Sequence, residues 1–136
     1  MVDQFDGTDR KEDRRERDFT VRPLSAVLLW GAPMMAIVAV NFFDAGRALS
    51  NSILAISFLW MGYACLWNAR RCGRVHCMFT GPLFLMAAIV PIGELFGLFQ
   101  LEPVQWNIYA ITVLLLLFLM MFGPERIWGK YRGDNG

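Results

Sequence analysis

Apolar residues along this chain do not alternate with polar ones; they come in long blocks separated by short polar connections. Four blocks stand out: residues 24–43 (LSAVLLWGAPMMAIVAVNFF), 50–68 (SNSILAISFLWMGYACLWN), 82–100 (PLFLMAAIVPIGELFGLFQ) and 106–122 (WNIYAITVLLLLFLMMF). About 20 apolar residues rising 1.5 Å each cross a hydrocarbon layer of about 30 Å. Inside lipid the backbone must satisfy its own hydrogen bonds, and a continuous apolar run does this as a helix, whereas barrel strands would alternate. The pattern therefore predicts an all-α membrane protein. Its short connections predict a four-transmembrane-helix antiparallel bundle. A charged segment (residues 1–22) precedes this domain (23–123), and a short tail (124–136) follows it. The first block is too long, and its charged lead-in too extended, for a cleaved signal peptide.

Charge fixes an expected orientation. Twelve of the thirteen basic residues fall on one side of a four-span arrangement: six between Arg10 and Arg22, then Arg70, Arg71 and Arg74, then Arg126, Lys130 and Arg132. Only Arg47 falls on the other side. Basic residues are retained in the cytoplasm, so both termini and the 69–81 loop are expected there. Trp67 and Trp128 suit the inner interface and Trp106 the outer one. The tail itself mixes signs, with seven acids against five bases up to Asp18. That balance predicts a mobile, solvated segment and argues against a nucleic-acid partner. The bilayer is the expected partner, along with a second copy or a larger membrane complex.

The stretch RRCGRVHC, Arg70 to Cys77, holds two of the three cysteines and the only histidine. Cys72, His76 and Cys77 form a candidate set of soft ligands, with Cys65 as an auxiliary thiol. If the second helix ran on, Cys65, Cys72 and His76 would share a face; if Gly73 broke it, Cys72 and Cys77 would fold toward each other. Arg71 and Arg74 would favour the thiolate forms. Structural zinc wants four ligands, usually as two spaced pairs, so Cu(I) or Hg(II) suits this set better than Zn(II). Thr80-Gly81-Pro82 reads as the capped start of the third helix.

Glu94 is an ionisable residue inside a span, which marks a polar relay or a structural bond to Arg47 or another helix. Pro91 should kink its helix and free a carbonyl near Ala87; Pro33 suggests another kink. Gly93 and Gly97 form a GxxxG pattern that permits close helix approach. Asn41 is placed to face this notch, as are Asp44 and Arg47. Met34, Met35, Met61, Met86, Met120 and Met121 lack the regular spacing of a thioether path and read as packing residues. The chain carries no Gly-rich phosphate loop, HExxH, GxSxG or paired intramembrane histidines, and an enzyme is not expected.

Four short spans with cytoplasmic cysteines resemble the small bacterial mercuric-ion transport proteins of the MerC and MerT type. The resemblance implies a bacterial cytoplasmic-membrane protein that passes a soft ion between cysteines, with Cys72 and Cys77 as acceptors. Those proteins carry a cysteine pair in an early membrane helix, and the first block here has none. The leading expectation is a membrane protein that binds or transports a soft metal ion. The alternatives are a non-catalytic subunit or scaffold, and a redox sensor built on a Cys72–Cys77 disulfide.

Overall fold

The computed structural model describes residues 12, 16, 18, 21–43 and 46–128, without the side chains of Asn41, Cys72, Glu125 and Trp128. Within these residues the chain is helical, and four helices are long and apolar enough to cross a membrane. The first comprises a short α1 (Pro23–Ala26), a π-helical segment (Val27–Gly31) and α2 (Ala32–Phe42). Then come α3 (Arg47–Cys72), α4 (Val75–Ala87) continued by α5 (Ile89–Leu95), and α6 (Pro103–Trp128).

Local chemistry sets these boundaries. Pro33 has no N–H to give to the preceding turn, and that turn widens: Ala32 N–H reaches back five residues to the Val27 carbonyl. Gly73 ends α3 in the left-handed region at φ 69°, its N–H returning to the Ala69 carbonyl. Arg74 is extended, and α4 begins at Val75. The expected 69–81 loop is thus a two-residue turn, Gly73 and Arg74, with the rest of RRCGRVHC built into helices. Thr80-Gly81-Pro82 does not start a helix. It lies inside α4, where the Thr80 hydroxyl donates to the His76 carbonyl at 3.0 Å instead of capping. Gly97 also departs from expectation. It sits at φ 68° beyond the end of α5, where the Leu98 and Gly97 N–H groups return to the Gly93 and Glu94 carbonyls. Gly93 packs beneath the Phe99 ring of the following connection. The GxxxG pattern therefore ends a helix rather than joining two.

The close approach lies elsewhere. A Cβ on Gly62 of α3 would stand 2.8 Å from Leu85 Cδ2 and 3.1 Å from the Gly81 carbonyl oxygen. One on Gly81 of α4 would stand 2.8 Å from Leu66 Cγ and 3.3 Å from the Leu66 nitrogen. Both residues need to be glycine for α3 and α4 to sit at this distance. The seam broadens into a core of Phe58, Met61, Ala87, Ala88 and Val113, with Phe58 and Phe84 rings 6.2 Å apart. Met61 is buried here while Met34, Met35, Met86 and Met121 are exposed, so the methionines trace no path. Outside the core, α2 packs on α3 and α6 on α4; no Cα of α6 comes within 8 Å of α2 or α3 among the described residues.

Pro91 behaves as its chemistry dictates. The helix breaks at Ala88, and the Ala87 carbonyl that Pro91 cannot serve accepts the Tyr109 hydroxyl from α6 at 2.6 Å.

Gly81→Ala should lower stability by about 1–3 kcal/mol, because Leu66 must be displaced. Gly31→Ala, whose nearest neighbour would be 3.6 Å away, should leave it unchanged or slightly raised. Thermal unfolding of the two purified proteins in detergent measures the contrast.

Candidate functional site

Two polar clusters, one buried and one half-buried, lie toward opposite ends of α3. The first is built around sulfur. Cys65 sits one helical turn past Gly62 on α3, and Cys77 one turn before Gly81 on α4, so the glycine seam carries them together. The two thiols face each other across the seam and are 2% and 0% exposed, neither in a disulfide. The Trp30 indole N–H donates to Cys65 Sγ at 3.4 Å, and the Asn68 amide donates to Cys77 Sγ at 3.7 Å. Both donors are groups that only give hydrogen bonds at these atoms, so the sulfurs act as acceptors. His76 Nε2 lies 3.3 Å from Cys77 Sγ.

A third layer closes this cluster. Asp18, in the segment expected to be solvated, has 0% of its surface exposed. Its carboxylate accepts from Asn68 Nδ2 at 2.9 Å and pairs with Arg74 Nη1 at 2.7 Å. A buried carboxylate needs such partners to offset its desolvation. Arg74, expected to act on the thiols, is thereby engaged by Asp18.

The sequence-predicted ligands are thus redistributed. Cys77 and His76 lie together in this cluster, and Cys65, expected as an auxiliary thiol, lies across the seam from Cys77. Cys72 is the last residue of α3, seven residues beyond Cys65 and so about 10 Å further along the helix; its side chain lies outside the described residues. Among the described residues no group of three His, Cys, Asp or Glu side chains is arranged to hold one metal ion.

The second cluster surrounds Glu94. Because α4 starts at Val75, Glu94 lies near the end of its span, not in its middle. Its Oε2 accepts from Asn51 Nδ2 at 2.7 Å. Its Oε1 accepts the Leu101 N–H at 2.5 Å and the Trp106 indole N–H at 3.2 Å. These bonds tie α3, α5, the connection after α5 and the start of α6 to one carboxylate. Asn51 is the amide that meets it among the described residues; the Asn41 side chain lies outside them.

Sequence reasoning passed over Trp30, Asn51, Asn68 and Asp18. The asparagines carried a signal, since an amide inside an apolar helix seeks a partner across a helix interface. Asp18 carried none, because its burial depends on a contact 50 residues away with Asn68.

No family model, curated protein or solved structure matches the chain. The likeness to mercuric-ion transport proteins therefore gains no support from these comparisons.

Glu94→Ala would leave the buried Asn51 amide and the Leu101 N–H without their acceptor. It should cost about 1–3 kcal/mol in stability and change Trp106 fluorescence, both read in a thermal melt followed by tryptophan emission.

Proposed function

We propose that this chain is an integral membrane protein whose Cys65–Cys77 pair binds a soft metal ion. The four apolar helices cross the bilayer as antiparallel neighbours, with both termini and the Gly73–Arg74 turn in the cytoplasm. Two features support the membrane reading. Large apolar side chains such as Phe42, Ile56, Trp60, Leu114 and Phe118 are exposed along the helices, where lipid is their compatible solvent. The basic residues segregate to one side as cytoplasmic retention requires.

The observation that carries the metal reading is the placing of two buried cysteines across one helix seam beside an imidazole, with an N–H donor aimed at each sulfur. Hydrogen bonds to sulfur orient it toward a bound ion. Two sulfurs without a converging third or fourth ligand suit the low coordination of Cu(I) or Hg(II), not tetrahedral Zn(II). The pair lies toward the proposed cytoplasmic end, a position suited to passing an ion between membrane and cytosol. Asp18, through Asn68, closes the route from that side. Glu94, with both oxygens engaged, acts as a structural staple rather than a relay.

The same two thiols favour a second reading, a redox-sensing pair. Oxidation would join Cys65 Sγ to Cys77 Sγ, with two electrons and two protons passing to a cellular oxidant such as a peroxide.

Binding of Cu(I) or Hg(II) to the detergent-purified protein under reducing conditions tests the assignment. One ion per chain is expected, lost in both Cys65→Ser and Cys77→Ser and retained in Cys72→Ser. Loss in Cys72→Ser alone would move the site back to the turn. No binding, together with an oxidant-dependent gel shift that needs Cys65 and Cys77, would select the redox reading. Silence in both assays would leave a non-catalytic subunit or scaffold.

The rate of Cys77 alkylation provides a separate check on the closure. Asp18→Ala removes the acceptor that holds Asn68 and Arg74, and should raise that rate at least several-fold.

A further inference from the structure

The helices do not close into a ring. Because the backbone of α6 runs close to α4 and that of α2 close to α3, a cleft of about 520 Å³ remains between α2 and α6. Its volume is in the range of small-molecule sites, about 300–1,000 Å³. Its two ends differ in chemistry. Arg47, Asn51 and Asn107 line one end, and Leu54, Phe58 and Leu117 line the other.

Arg47 makes no hydrogen bond or ion pair among the described residues. The neighbouring Glu94 carboxylate, on which Arg47 acts only through its field, takes its hydrogen bonds from Asn51, Leu101 and Trp106, which leaves the guanidinium donors unused among the described residues. It is also the one basic residue on its side of the four-span arrangement. A guanidinium at the mouth of an apolar trough matches an amphiphile with an anionic head. The trough cannot stay empty without cost, since its walls would forfeit dispersion contacts on one side.

We infer that the cleft binds one anionic phospholipid, with its phosphate at Arg47 and one acyl chain along Leu54, Phe58 and Leu117. The inference rests on the membrane reading and is independent of the thiol site. A zwitterionic lipid brings its own cation close to Arg47 and should bind less well.

Native mass spectrometry of the full chain, titrated in detergent with phosphatidylglycerol or phosphatidylcholine, tests this. The expected result is one phosphatidylglycerol retained per chain, preferred about tenfold over phosphatidylcholine. Arg47→Gln should bring the preference to within twofold. Ala110→Trp, which fills the cleft from α6, should lower retention of both lipids. Equal retention by the wild type, a preference that survives Arg47→Gln, or unchanged retention in Ala110→Trp would each overturn the assignment. So would a dimer that appears in place of the lipid adduct and is dissociated by Ala110→Trp, since a second copy would then fill the cleft. Alkaline carbonate extraction of cell membranes separates the two levels. Chain released into the extract would overturn the membrane reading itself, whereas chain kept in the pellet without lipid preference would overturn only the cleft.

Discussion

The distance between α3 and α4 governs the rest of this molecule. Gly62 and Gly81 remove the two side chains that would hold these helices apart, and Leu85 and Leu66 fill the space each glycine vacates. Small residues at a helix interface let backbones approach and maximise dispersion contacts, the main source of helix association in lipid. Everything chemically unusual follows from that approach. Cys65 and Cys77 meet because each lies about one turn from its glycine. Asn68 reaches Cys77 for the same reason. At the other end, the α3 amide of Asn51 is brought within hydrogen-bonding reach of Glu94.

Polar groups then lock what packing has placed. A carboxylate taken out of water is strongly unfavourable unless its oxygens are served, as those of the buried Asp18 are, and the half-buried Glu94 is likewise bonded through both oxygens. Asp18 is held by Asn68 and Arg74, Glu94 by Asn51, Leu101 and Trp106. Both clusters include an asparagine from α3, 17 residues apart, so one helix carries the acceptor-seeking groups for both ends. The sulfur pair lies between one of these locks and the apolar core. It is shielded on one side by Asp18 and on the other by Trp30.

How much of this could be read from residues alone depended on range. The four apolar runs and the chemistry of Pro91 are local properties, and the four long helices and the Ala87 carbonyl's need for an outside partner followed from them. Its partner, Tyr109, was not legible, since only the packing of α6 selects it. The third helix was placed seven residues late because Thr80-Gly81-Pro82 has the composition of a cap. Here Gly81 serves a packing contact and Thr80 bonds back to His76. Gly93 and Gly97 matched a contact motif, yet Gly97 is used for its left-handed backbone. The site was read as Cys72 with Cys77 because they are near in sequence. Cys65, twelve residues from Cys77, is brought opposite it by the α3–α4 interface, and sequence spacing carries no sign of that.

The two-residue turn at Gly73 and Arg74 has a consequence for assembly. The loop-closure entropy opposing the α3–α4 pairing is as small as a helix–helix connection allows, so this pair is the natural first unit of folding. The flanking helices add to that pair, α2 along α3 and α6 along α4, with Val113 of α6 completing the core around Phe58 and Met61. The interface that creates the thiol pair is then complete before the outer helices arrive, and the chemistry at its centre is set by the shortest-range step in the folding of the chain.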